Sequence, residues 1–148
     1  MENIVKNLSK GCPFIDKAFE KNNILIKNYK ITSEKDALNI INFNSLLFLK
    51  RIRVLKHSNS FCIVIFLLIN KTNSFKEKNL SVLLDQLKEK YLREPIVYGY
   101  LTNNIGNKEK IFCIVIRPYI GVVDNKFFIN KPHFGRNKLT LREYLNYE

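Results

Sequence analysis

The sequence predicts an α+β fold with a ferredoxin-like β-α-β-β-α-β core, extended at its C-terminal side by a further strand and a hairpin. Three observations predict it. Short β-branched and aromatic runs recur at residues 24–31, 46–56 and 96–101; residues 61–69, FCIVIFLLI, hold nine residues without a charge; and Leu80, Leu83, Leu84, Leu87 and Tyr91 fall on one helical stripe. At 148 residues, 46% hydrophobic and 12% aromatic, the chain is long and apolar enough to bury one core.

In order, residues 2–9 are weakly helical up to Gly11, and Pro13 can open a second short helix through Glu20. Residues 1–22 are therefore expected as a helical appendage to a domain over residues 23–102. The run ILIKNYKI at 24–31 has strand composition, and Thr32 or Ser33 caps a helix carrying Ala37, Leu38, Ile40 and Ile41. Residues 46–56, LLFLKRIRVLK, alternate as a strand. Lys50, Ile52 and Val54 would share one face, and Leu49, Arg51 and Arg53 the other.

After a turn at 57–60, residues 61–69 are apolar on both faces, which suits an inner strand covered on both sides. The leucine stripe makes the second helix, which Pro95 ends. IVYGYL at 96–101 then alternates, with Tyr98 and Tyr100 on one face. In a ferredoxin-like order the first and third strands are inner and both helices cover one face. Residues 103–148 extend that domain: a strand at 110–117, a hairpin at 121–129 turning at Asp124-Asn125-Lys126, and a final helix with a Thr140/Glu143 capping box. Whether these pieces lengthen the sheet or cover its open face is left open by the sequence.

Composition bounds the function. Net charge is +12, which attracts nucleic acid or another anionic surface. The cations are 19 Lys against 6 Arg, beside 19 Asn, a composition that an A/T-rich genome also produces, so charge alone does not carry the assignment. The cysteines Cys12, Cys62 and Cys113 are odd in number and far apart, which fits a reducing compartment, cytoplasmic or nuclear. The longest apolar run is nine residues, where a membrane-spanning helix needs about twenty, and the first residues do not resemble a secretory signal.

No catalytic or metal-binding constellation is visible. His57 and His133 have no ligand partners at zinc spacing, and the five glycines are isolated, so no phosphate-cradling loop occurs. The 13 carboxylates lie outside apolar stretches that would raise a pKa. Cys62 and Cys113 fall inside predicted strands and read as core; Cys12, at a possible helix start, is the only thiol placed to be acidified. No cofactor is expected.

What stands out is basic and aromatic. On a strand, Arg51 and Arg53 would project side by side about 7 Å apart, and Tyr98 and Tyr100 would pair likewise. Guanidinium groups take phosphates while rings stack on bases. The candidate RNA-binding residues are therefore Lys50, Arg51, Arg53, Tyr98 and Tyr100, weighed against solvated arginines and tyrosines packed against the C-terminal hairpin.

Residues 45–54, SLLFLKRIRV, resemble the SL-x-x-LKR-[IV]-R segment of the N-terminal domain in the non-catalytic subunit of the eukaryotic tRNA wobble-adenosine deaminase. In that family the segment follows a strand and a helix and precedes a polar turn and a strongly apolar strand. The resemblance spans residues 23–101, and its specific part is LKRIR. It implies a tRNA-binding accessory subunit that presents tRNA to a partner deaminase for adenosine-to-inosine editing, with Lys50, Arg51 and Arg53 on the tRNA. That family's subunit continues into a deaminase-like domain with a histidine and a PCxxC pair for zinc, and neither motif occurs here. Two other expectations stand beside this one: a protein-interaction module that adds strands to a partner, and a small enzyme with a scattered site gathering His133, Asp124 and Glu143.

Overall fold

In a computed structural model that describes residues 23–54, 61–105 and 108–119, Ile24–Lys30 forms the first strand, β1. Glu34–Val54 is a single helix, α1, of 21 residues, and Cys62–Asn70 is β2. Glu77–Lys90 is α2, Ile96–Ile105 is β3 and Glu109–Pro118 is β4. The architecture is α+β, a four-stranded mixed sheet in the order β1-β2-β4-β3 with two helices. β1 runs parallel to β2, while β4 runs antiparallel to both β2 and β3. β3 is therefore parallel to β1 and β2, and β2-α2-β3 is a split βαβ unit with β4 inserted in the gap.

The described order is thus β-α-β-α-β-β, and the expected β-α-β-β-α-β core is corrected at one place. The strand expected at 46–56 does not form: residues 46–54 are the C-terminal half of α1, and 55–60 lie outside the described residues. The buried positions Ile41, Ser45, Phe48, Leu49 and Ile52 are spaced four, three, one and three apart, a helical stripe. β1 is consequently an edge strand of the described sheet, where a ferredoxin-like arrangement would make it inner. β2 is inner, as its doubly apolar sequence requires. β4 joins the middle of the sheet.

Both helices pack on one face. Ile63, Ile65, Leu67 and Ile69 of β2 and Phe112, Ile114 and Ile116 of β4 cluster there with Ile41, Phe48 and Ile52 of α1 and Leu80, Leu83, Leu84 and Leu87 of α2. The opposite face carries Val64, Phe66, Ile111, Cys113 and Val115, also buried, in a cluster that includes no described helix residue. The expected appendage at 1–22, the hairpin at 121–129 and the final helix lie outside the described residues, as do Cys12, His57, Asp124, His133 and Glu143.

Candidate nucleic-acid interface

The last turns of α1 carry Lys50, Arg51 and Arg53, all exposed. A helix turns about 100° per residue, so Arg51 and Arg53 diverge by about 160° instead of projecting together; the side-by-side arginine pair does not exist. Arg51 leans toward the sheet, its Cζ 5.9 Å from the centre of the Phe61 ring, and Phe61 in turn stacks on Phe48 at 5.7 Å. Part of this basic string complements the helix itself. Glu34 and Asp36 occupy the first turn and Arg51 and Arg53 the last, matching the macrodipole at both ends.

Lys50 points elsewhere. It shares an outward stripe with Phe43, Leu46 and Val54, at helical spacings of three and four, and these three apolar residues are 60%, 52% and 75% exposed. Lys27 of β1 places its ammonium 5.3 Å from the centre of the Phe43 ring. From residue 37 to residue 54 the helix has no carboxylate. The outer side of α1 therefore combines a phenylalanine ring and aliphatic side chains with lysines, on a stretch of helix that holds no carboxylate.

Tyr98 does not belong to that surface. It is 6% exposed, beneath α1, and its hydroxyl lies 2.6 Å from Ser45 Oγ. Ser45 donates its only hydrogen to the Ile41 carbonyl at 2.7 Å, so Tyr98 must be the donor to Ser45. Burial raises the Tyr98 phenol far above its ordinary range. Tyr98 is a structural tie between β3 and α1, and its place as a base-stacking ring is withdrawn. Tyr100, two residues on, is 37% exposed on the edge strand β3. The structure thus separates the five expected residues: three cations on one helix end, one tyrosine in the core and one at a sheet edge. Phe43 and Lys27, which join this surface, are not marked in the sequence, because a phenylalanine near the end of an expected short helix gives no sign of its exposure.

A polar cleft of about 390 Å³ opens where β1 and β2 end and α1 and α2 begin, lined by Thr32, Ser33, Glu34, Asn73, Ser74, Phe75 and Asn79. Asn73 Nδ2 donates to the Thr32 carbonyl at 2.8 Å and ties its two walls together. The helix starts there are engaged by their own side chains. Asp36 N–H donates to Ser33 Oγ, the Asp36 carboxylate accepts from both the N–H and the hydroxyl of Thr32, and Lys76 N–H donates to Asn79 Oδ1. The Thr32 backbone donor, followed by its hydroxyl, holds the Asp36 carboxyl below its usual range. Glu34 lines the cleft, and these three backbone donors are committed to side chains of the chain itself.

Among the described residues no group of three or more histidine, cysteine or acidic side chains is placed to hold a metal, and no helix is long and apolar enough to cross a membrane. No family model matches the chain, and no curated protein or solved structure matches it either.

Proposed function

We propose that the chain is a non-catalytic RNA-binding module of the cytosol or nucleus, with tRNA as the first candidate, that contacts phosphates through the exposed end of α1. Lys50, Arg51 and Arg53 are the contacts, with Tyr100 as the remaining candidate ring. The observation that carries this reading is the stretch of 18 residues from 37 to 54, without a carboxylate and with its three cations exposed, in a chain of net charge +12. Two cations would satisfy the helix dipole, and Lys50 lies outside that role. The resemblance of SLLFLKRIRV supports the more specific form, an accessory subunit that presents tRNA to a separate deaminase for wobble adenosine-to-inosine editing.

The test is binding of tRNA to the purified protein across a salt series, comparing wild type with Lys50→Ala/Arg51→Ala/Arg53→Ala. Each neutralised phosphate releases condensed counterions, so three lost contacts should flatten the log-log salt slope by about 2 to 3. Circular dichroism of the variant confirms that helix content is kept. Wild-type protein without salt-sensitive affinity, or a variant that binds as well as wild type, rejects the reading.

A further inference from the structure

We infer that the RNA held by this surface is single-stranded where it meets α1, with an unpaired base stacked on the Phe43 ring and the neighbouring phosphates held by Lys27, Lys50 and Arg53. The inference rests on the RNA-binding reading above and names the form of RNA that the same helix selects.

Phe43, Leu46 and Val54 are among the most exposed large apolar side chains described, and they fall on one stripe of one helix. Such a patch is unfavourable in water and useful only to a ligand with apolar surface of its own. A duplex offers outward phosphates and ribose, which cations alone can bind; its bases are stacked inside. Unpaired nucleotides offer both phosphates and the flat faces of bases, which stack on aromatic rings whatever their sequence. The stripe supplies both halves of that recognition. Lys27 stands 5.3 Å from the ring centre of Phe43 and brings a positive charge to the site of stacking. Lys50 lies seven residues further along the helix, a rise of about 10 Å, so a strand laid along α1 meets the ring first and a cation next. A second copy of the chain is a poor occupant, because each copy carries +12 and the helix has no carboxylate from residue 37 to residue 54 to pair with those cations.

The chain has no tryptophan, so Phe43→Trp introduces a single tryptophan at the proposed stacking position, whose emission is excited at the red edge, apart from that of the seven tyrosines. We expect its emission to be quenched, saturably, by a short unstructured oligouridylate and not by a blunt RNA duplex of equal charge. Phe43→Ala should weaken oligouridylate binding by about 5- to 140-fold, the range of one lost base stack, without changing the salt slope. If Phe43→Ala binds both RNAs as wild type does, in the same salt-sensitive way, and Phe43→Trp stays unquenched, the stacking inference is overturned while the RNA-binding reading stands. If wild type binds neither RNA nor tRNA, both fall, and the stripe becomes a surface for a protein partner.

Discussion

Cys113 lies on the face of β4 turned away from the helices, paired with Phe66 across the sheet and packed with Val64 and Val115. Burial pushes its thiol up to about 12 from an ordinary value of 9.0. In the unfolded chain the thiol loses its proton as pH passes 9, while the native state keeps it until about 12. Over that window the unfolded state binds fewer protons, so stability is fully present below pH 9 and falls as pH rises, by at most about 1.4 kcal/mol per pH unit from this group. The buried phenol of Tyr98 acts in the same direction at higher pH. Urea midpoints measured from pH 8 to pH 11 should therefore decline, and Cys113→Ala, less stable at pH 8, should decline less steeply. Parallel declines for the two proteins would place the titration elsewhere. That Cys62 and Cys113 are core was legible, because each sits inside an apolar run that is buried whichever strand lies beside it. A packed Tyr98 is one of the two sequence readings, but against the C-terminal hairpin; α1 as its cover was not legible. The burial of Tyr98 depends on a helix overhead that supplies Ser45 as a partner, and nothing in IVYGYL announces that helix.

The largest departure lies in α1, and it comes from polar residues inside a helix. Asn42, Asn44 and Ser45 fall between the residues expected as a short helix and those expected as a strand. In the structure, Asn44 and Ser45 are buried, and each bonds a carbonyl one turn back: Asn44 Nδ2 to Ile40 at 2.8 Å, and Ser45 Oγ to Ile41 at 2.7 Å. The side-chain donors of Asn44 and Ser45, letters that favour turns, are here taken up by the helix backbone, while Asn42 Oδ1 accepts from Lys90 and Tyr91 across to α2. Exposed Leu46 and Val54 further blur the amphipathic stripe, and the LKRIR string alternates by coincidence with strand period. One contrary signal was present: no glycine or proline occurs between residues 14 and 94, so nothing forces a break at 42–45. β2 and α2 were legible because their patterns are unbroken. A helix and a strand over residues 46–54 make opposite predictions for Lys50 and Ile52, which a strand would place on the same face. Ile52 is buried against the sheet in α1, so Ile52→Ala should cost about 2 to 5 kcal/mol, whereas Lys50→Ala should stay within about 0.5 kcal/mol. Chemical denaturation of the two variants checks this, and equal losses would contradict the helix.

The described fold is organised around β2 and β4, which are adjacent in the sheet although 38 residues separate the end of one, Asn70, from the start of the other, Glu109. The chain first lays β1 beside β2 through α1, then carries β3 past an empty place through α2, and β4 returns to fill it. Strand composition at 110–117 could be read from the sequence, but its place could not, since lengthening an edge and filling the interior of a sheet both demand an apolar strand. The inner position has a consequence for opening. β2 and β4 are paired on both sides and buried on both faces, while β1 and β3 each pair on one side within the described sheet. Amides in the inner strands can exchange only when the sheet as a whole comes apart; those of the edges can exchange through local opening, at lower free energy. Hydrogen exchange followed residue by residue should therefore find residues 63–69 and 111–116 slowest, exchanging at the rate set by global unfolding. β1 should exchange faster, with protection concentrated in amides directed at β2. If β1 were instead as protected as β4 along its whole length, its outer edge would be paired in solution, and the four-strand sheet would be part of a larger one.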